Sequence, residues 1–367
     1  MTLDHISVTN FKNIASAQLD FSPKVNCFLG NNGMGKSNLL DAIYYMSFCK
    51  SFSGATDAML MRRGEEFAMI QARYSRRGAE EELHMGMSPG RRKSFKRSGK
   101  EYQRLSAHIG AFPLVMVSPQ DIDLIRGESE SRRRFMDMVI SQGDPAYLDA
   151  LIRYNRALEQ RNRLLRDGVV DPMLYTAVET MMDISATLIF SRRREWVTRL
   201  SGIFARYYAA IAGSYEEVAL GYRSGSADAT MTQMLDSARR RDEIVRHTTV
   251  GPHRDDIEMT LDGMPMRRTG SQGQCKTYVI ALRLAQYDFI KETCSMKPLL
   301  LLDDIFDKLD ASRVERIMEV TGRDLFGQIF ITDTNRAHLD SIVRRTSGDY
   351  RMWHVADGSF SPVDTSL

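Results

Sequence analysis

The sequence predicts an α/β fold in which a sheet drawn from both ends of the chain is interrupted by an inserted helical arm. Three observations predict it. A glycine-rich stretch, Gly30–Ser37, stands between a short apolar strand and a helix. An apolar run, Leu299–Leu302, ends in the paired acids Asp303 and Asp304, with Asp303 266 positions beyond Ser37. Between these landmarks, from about residue 119 to 245, the apolar spacing is helical. The expected division is therefore 1–118 and 246–367 for the two parts of a head and 119–245 for the arm.

Each element rests on a local pattern. Ile6 and Val8 alternate with polar neighbours, and Ala17–Phe21 does so more loosely, as strands do. Val25–Leu29 is an apolar run closed by Gly30, and helical spacing resumes over Asn38–Phe48. Phe67–Tyr74, Glu82–Met87 and Phe112–Val117 read as further strands. Asp144–Pro145 and Asp171–Pro172 each pair an N-cap with proline at the first helical position. Leu174, Val178, Met181, Met182, Leu188 and Ile189, continued by Trp196, Leu200, Ile203, Phe204 and Tyr207, predict a long helix or helix pair whose stripe is core or interhelical packing. Ile257, Met259 and Leu261 alternate up to the hairpin turn Asp262–Gly263. A helix at 272–291, a strand at 298–303, a helix from about Asp310, a strand at 328–332 and a hairpin turning at Asp357–Gly358 complete the chain.

With 367 residues, 43% apolar and 26% charged, the chain can bury a normal core. A net charge of +3 permits contact with nucleic acid without arguing for it. Cys27, Cys49, Cys275 and Cys294 are widely spaced with no metal-ligand pattern, so buried reduced thiols are expected. The start, MTLDHISVTN, lacks the basic-then-apolar pattern of a signal peptide, and no apolar run approaches the ~20 residues of a membrane span. A cytoplasmic protein with no membrane partner is the expectation.

Gly30-Asn31-Asn32-Gly33-Met34-Gly35-Lys36-Ser37 matches GxxxxGK[ST] in full. Backbone N–H groups of such a loop form an anion nest, and the following helix adds positive potential. These residues, with Asn38 beyond them, are the candidate ATP contacts. Lys36 is expected to reach the β- and γ-phosphates and Ser37 to ligate Mg²⁺. The apolar strand ending in two acids delivers carboxylates to the edge of a sheet, where ligands of parallel sheets bind. Asp303 would hold the Mg²⁺ and Asp304 would orient or deprotonate the attacking water, making Lys36 and Asp304 the candidate catalytic pair.

Ser271-Gln272-Gly273-Gln274 opens the helix that precedes the acidic strand. In this order, glycine-rich loop, SxGQ, apolar strand with two acids, the chain resembles the ABC-type ATPases, with Phe306–Asp310 similar to their D-loop. The opening Asn10-Phe11-Lys12-Asn13 resembles the start of SMC, Rad50 and RecF heads and makes Lys12 a candidate nucleotide contact. Ser118-Pro119 with Arg132–Asp137, Gly251-Pro252-His253-Arg254-Asp255-Asp256, and Ser271–Gln274 with Lys276 are similar to the RecF family. The resemblance covers nearly the whole chain. It implies a P-loop NTPase of ABC/Rad50-head type and an ATP-dependent homodimer in which Ser271, Gly273 and Gln274 of one subunit meet the nucleotide held by Lys36 of the other. It also implies slow ATP hydrolysis, binding to single-stranded, double-stranded and gapped DNA, and cooperation with RecO and RecR in recombinational repair.

Departures are equally specific. The second acid is Asp304 where most ABC ATPases carry Glu, a trait the RecF family shares. Asp333 stands where the wider superfamily has its switch histidine, which leaves the γ-phosphate sensor unassigned. Gln120 is a candidate Q-loop residue, and Cys275 stands where the RecF signature has glutamine. An SMC-like tether fits poorly because 119–245 is too short for a long coiled coil and has no sustained heptads. A transporter subunit fits poorly with the opening NFKN and the missing histidine.

Arg91-Arg92-Lys93-Ser94-Phe95-Lys96-Arg97-Ser98-Gly99-Lys100 packs cations without an intervening acid. An exposed loop or hairpin contacting DNA phosphates through Arg91, Arg92, Lys93, Lys96 and Arg97 is the expectation. The arginine triplets at 132–134, 192–194 and 239–241 read as helix faces paired with nearby acids.

Overall fold

Two sheets enclose the helix Lys36–Phe48, and this explains why eleven of its thirteen residues are buried. A helix apolar on all sides is a core helix. The computed structural model describes residues 1–213, 216–225, 229–306, 311–321, 325–343 and 349–363. Among these, one sheet runs in the order Ser359–Pro362, Tyr350–Ala356, Val25–Leu29, Ile329–Asp333, Leu299–Asp303, Leu114–Val117. Its strands are parallel except for the C-terminal hairpin. The central strands are buried along their length, as near-continuous apolar runs in parallel sheets are. The second sheet is antiparallel, in the order Ile14–Asp20, Thr2–Phe11, Ala68–Arg76, Ala79–Met87, Ser94–Arg97, Lys100–Glu101. Its inward faces alternate with exposed ones, as at Ala68, Ile70, Ala72 and Tyr74.

The chain divides into two compact units. The first comprises 1–121, 210–212 and 286–367 and holds both of these sheets; the second comprises 122–209 and 213–285. The sequence reading instead ends the arm at 245. The difference has a non-local cause: Asp256–Leu261 pairs with Val218–Arg223 across its whole length, so 246–285 belongs with the arm. The second unit contains the helices Ser129–Gly143 and Pro145–Asp167, most of Pro172–Ala212, and Met231–Val245. Asp144 and Asp171 cap two of them as the Asp-Pro pairs predict, accepting from the amides of Tyr147 and Met173. Pro172–Ala212 is one helix of 41 residues and not a pair. By length and composition alone it reaches the threshold for crossing a membrane, which corrects the expectation of no such run. Met182, Ala186, Ile189, Trp196 and Leu200 pack within the unit, whereas Leu174, Met181 and Ile184 are exposed, so the expected stripe is core only in part.

An ion network fastens the second unit. Arg193 is 1% exposed; its guanidinium meets Asp137 Oδ1 at 2.8 Å and Asp255 Oδ2 at 2.7 Å. Arg132 grips both oxygens of Asp256 at 2.6 and 3.0 Å. Gly251 has φ +118°, and a Cβ there would fall 2.5 Å from the Tyr154 hydroxyl. The 251–256 motif is thus a structural fastener, and the arginine triplets at 132–134, 192–194 and 239–241 supply its partners and those of Asp144 and Glu179.

Each unit also holds a neutral histidine, fully buried at His108 and half-buried at His253. His108 donates from Nε2 to the Met46 carbonyl at 2.7 Å and His253 donates to the Thr248 carbonyl at 3.0 Å. Burial pushes both down to about 4. With folded values below the unfolded ~6.5, their stabilising contribution is complete above pH 6.5 and is lost as pH falls toward 4. Denaturation at pH 5 should therefore show roughly 2 kcal/mol less stability per histidine than at pH 7.5. His108→Gln and His253→Gln should each flatten that slope; unchanged slopes would reject the assignment. Of the cysteines, Cys27, Cys49 and Cys275 are buried, Cys294 is half-buried, and none forms a disulfide with a described residue.

Candidate nucleotide site

The strands Val25–Leu29, Ile329–Asp333 and Leu299–Asp303 run parallel, so their carboxyl ends share one sheet edge. Gly30 leaves the first of them under tight constraint. Its amide donates to the Asp333 carbonyl at 3.3 Å, and a Cβ would meet the Val355 carbonyl oxygen at 2.3 Å. Gly33 and Gly35 take φ of +82° and +110°, conformations that L side chains rarely adopt. Gly35 also lies against Asn13, whose Oδ1 accepts from Asn38 Nδ2 at 2.7 Å.

Lys36 is 5% exposed, and its ammonium donates to the carbonyls of Gly30 at 2.6 Å and Asn31 at 2.9 Å. Burial lowers its pKa, against the pull of Asp304, Asp303 and Asp333. The Ser37 hydroxyl donates to Asp303 Oδ1 at 2.8 Å, and the buried Thr332 hydroxyl donates to the same oxygen at 2.7 Å. Burial raises the pKa of Asp303, opposed by those two hydrogen bonds. Asp304 turns off the strand with φ +49°, a left-handed conformation that Asp tolerates better than most residues. A pocket lined by Asn32, Gly33, Gly35, Lys36, Ser37, Asn38 and Asp304 opens here. The hydroxyl and carboxylate at Ser37 and Asp303 are hard oxygen donors, a set that fits Mg²⁺ sharing its remaining positions with phosphate and water.

The other predicted residues make the following contacts. Met34 and Asn31 contribute backbone carbonyls, Met34's accepting from Gly358 N at 2.8 Å. Lys12 pairs with buried Asp41 at 2.6 Å and braces the first strand against the loop's helix. Ser271 and Gln274, in the second unit, cap their own helix through reciprocal bonds of 3.2 and 2.8 Å, and Gln274 Nε2 also donates to Glu216. Gly273 lies in the first turn of that helix. Gln120 is exposed in a short 3₁₀ turn. Of the D-loop, Phe306 is buried and 307–310 lie outside the described residues. Asp333 is buried, and its Oδ1 accepts from Asn335 N at 2.8 Å. Reasoning from sequence missed Thr332, Asn13 and Gly358; a threonine in an apolar strand and a glycine in a hairpin carry no distinguishing signal.

The basic stretch folds as the hairpin Ser94–Arg97 and Lys100–Glu101. Its cations divide by strand parity. Phe95 is buried, and Lys93 and Arg97, two residues to either side, turn inward with it. The Lys93 ammonium meets Cys49 O at 2.6 Å, Tyr45 Oη at 2.8 Å and Asp57 Oδ2 at 3.1 Å, and Arg97 meets Glu81 at 2.6 Å. Arg91, Arg92 and Lys96 are exposed.

These features define a class. The family described as the RecF/RecN/SMC N terminal domain matches residues 2–349. An SMC head from Pyrococcus furiosus superposes with a TM-score of 0.58 at 17% identity, covering 99% of this chain and 96% of that one, a likeness of fold. The fold is that of a P-loop ATPase head of the ABC/Rad50 type. The DNA replication and repair protein RecF of Parabacteroides distasonis is 50% identical over 364 residues, 99% of this chain and all of that protein. A solved structure of the recombination mediator protein RecF with ATP has a TM-score of 0.87 at 27% identity, covering 98% of this chain and 99% of that one. The chain belongs to the RecF family of DNA replication and repair proteins.

Proposed function

We propose that the chain is an ATP-gated DNA clamp of recombinational repair, working in the cytoplasm. The observation that carries this is the meeting of Lys36, Ser37, Asp303 and Asp304 at one sheet edge, in a chain of this family. The loop Gly30–Asn38 holds the phosphates of ATP, with Lys36 neutralising the β- and γ-phosphates. Ser37 and Asp303 hold Mg²⁺, which would supply charge neutralisation. Asp304 orients water; its short side chain suits the slow hydrolysis that releases the clamp. Ser271, Gly273 and Gln274 reach the nucleotide of a second copy, so ATP gates a homodimer through a population shift. Lys12 acts on the nucleotide indirectly, through Asp41. The body of the chain divides into a head and an arm. RecO- and RecR-like mediators join it at gaps between single- and double-stranded DNA.

Light scattering tests the gate. A dimer that forms only with ATP and Mg²⁺, and is strengthened by gapped DNA, is expected; a monomer under every condition would reject the shared site. DNA contact is assigned to the outward cations Arg91, Arg92 and Lys96. Replacing the three by Ala should make the salt dependence of DNA binding shallower, by roughly 0.9 in log–log slope for each phosphate that is no longer neutralised. An unchanged slope would remove the hairpin from the interface.

A further inference from the structure

We propose that Thr332 is the positioning residue for both acids of the nucleotide site. The inference rests on the ATP reading above and deepens it. Thr332 is fully buried in the strand Ile329–Asp333 and lies directly opposite Asp303 in the parallel register. Its hydroxyl donates to Asp303 Oδ1 at 2.7 Å. The same hydroxyl oxygen accepts the Asp304 amide at 3.0 Å, and that amide also approaches the Thr332 carbonyl at 3.3 Å. A hydroxyl can donate and accept at once, which neither Val nor Ala can do. Because the Asp304 amide takes a lone pair of Oγ1, the hydroxyl hydrogen is left for the Asp303 carboxylate. One side chain therefore fixes the carboxylate that faces the cation position and the left-handed turn that aims Asp304 off the strand.

The Ser37 hydroxyl converges on the same Asp303 oxygen at 2.8 Å. The Ser37 hydroxyl can ligate a cation through an oxygen lone pair while its hydrogen still points at Asp303, so the two hydroxyls share the carboxylate. Thr332 alone of the two also holds the Asp304 amide, and so couples the carboxylate's rotamer to the turn that follows it. Partners of this kind orient a metal-binding oxygen without touching the metal. Thr332 is thus assigned no contact with ATP itself, and its removal should separate nucleotide affinity from the response to Mg²⁺.

The test compares wild type, Thr332→Val and Thr332→Ser as full chains, by titrating a fluorescent ATP analogue in EDTA and in Mg²⁺ and by measuring turnover. Thr332→Val should bind within about 3-fold of wild type in EDTA and lose about 10- to 100-fold in the Mg²⁺-dependent gain and in turnover. Thr332→Ser, which keeps the hydroxyl, should restore both to within about 3-fold. A valine variant with the wild-type Mg²⁺ response would overturn the proposal, as would a serine variant as impaired as valine, since the methyl group would then be what matters. If wild type itself binds ATP but ignores Mg²⁺, the cation reading falls and the proposal with it; if it binds no ATP, the site reading itself fails. Should the valine variant not fold, Thr332→Ala provides the same contrast with serine.

Discussion

Lys36→Ala is expected to yield a folded chain that binds ATP at least about 100-fold more weakly, a loss of about 2.7 kcal/mol. Two contributions add. The ammonium now holds the carbonyls of Gly30 and Asn31, so it organises the loop from within. It is also the one cation among the described residues lining the pocket, facing the place the loop offers to phosphate. A charge-assisted hydrogen bond of this kind is worth roughly 1.5–3 kcal/mol, and the buried setting limits replacement by water. Calorimetric titration gives the affinity directly. Thermal melting gives an independent reading, because a ligand that binds only the folded chain raises its melting temperature with concentration. Wild type should show that rise and the variant should not. An unaltered affinity would remove the loop from nucleotide binding altogether.

Arg193→Met should be severely damaging to the second unit, costing about 3–5 kcal/mol. The guanidinium is enclosed by Asp137, Asp255, the Tyr147 hydroxyl and the Pro252 carbonyl. Removing it strands the buried Asp255 carboxylate and leaves the half-buried Asp137 without its cation. Burial already raises the pKa of Asp255 even with Arg193 beside it, so desolvation weighs heavily on the pair and neither partner can be spared. The melting temperature should fall by roughly 10 °C or more for a unit of this size. Arg134→Met, whose exposed side chain pairs with exposed Glu130, serves as the control and should cost less than about 1 kcal/mol. Equal effects at the two positions would refute the argument.

How much was legible follows from the range of the interactions. Val25–Leu29, the loop after it and Leu299–Asp303 are strong local patterns, and the structure places them at one edge as the spacing demands. The strand Val218–Arg223 alternates at Val218, Leu220 and Tyr222, yet Gly221 weakens it, and its partner lies more than thirty residues away. Missing that pairing set the expected end of the arm at 245. The inward turn of Lys93 and Arg97 was available in principle, because Phe95 marks which parity faces the core. Charge alone does not distinguish a cation on a sheet's inner face from one on its outer face. Thr332 was not legible at all: its role depends on two acids nearly thirty positions away meeting one hydroxyl.

The strand that launches the phosphate loop has both its neighbours, Ile329–Asp333 and Tyr350–Ala356, at the far end of the chain. On a translating ribosome this imposes a wait. At bacterial-scale synthesis rates, roughly 15–65 s separate the emergence of Leu29 from that of Ala356. Until Ile329–Asp333 emerges, late in that interval, Val25, Cys27 and Phe28 have no partner strands, and their bare edges are open to other nascent chains. A polypeptide released before Tyr350 lacks both the strand that flanks the loop and the hairpin glycine whose amide holds the Met34 carbonyl, so its glycine-rich loop is without two of its supports.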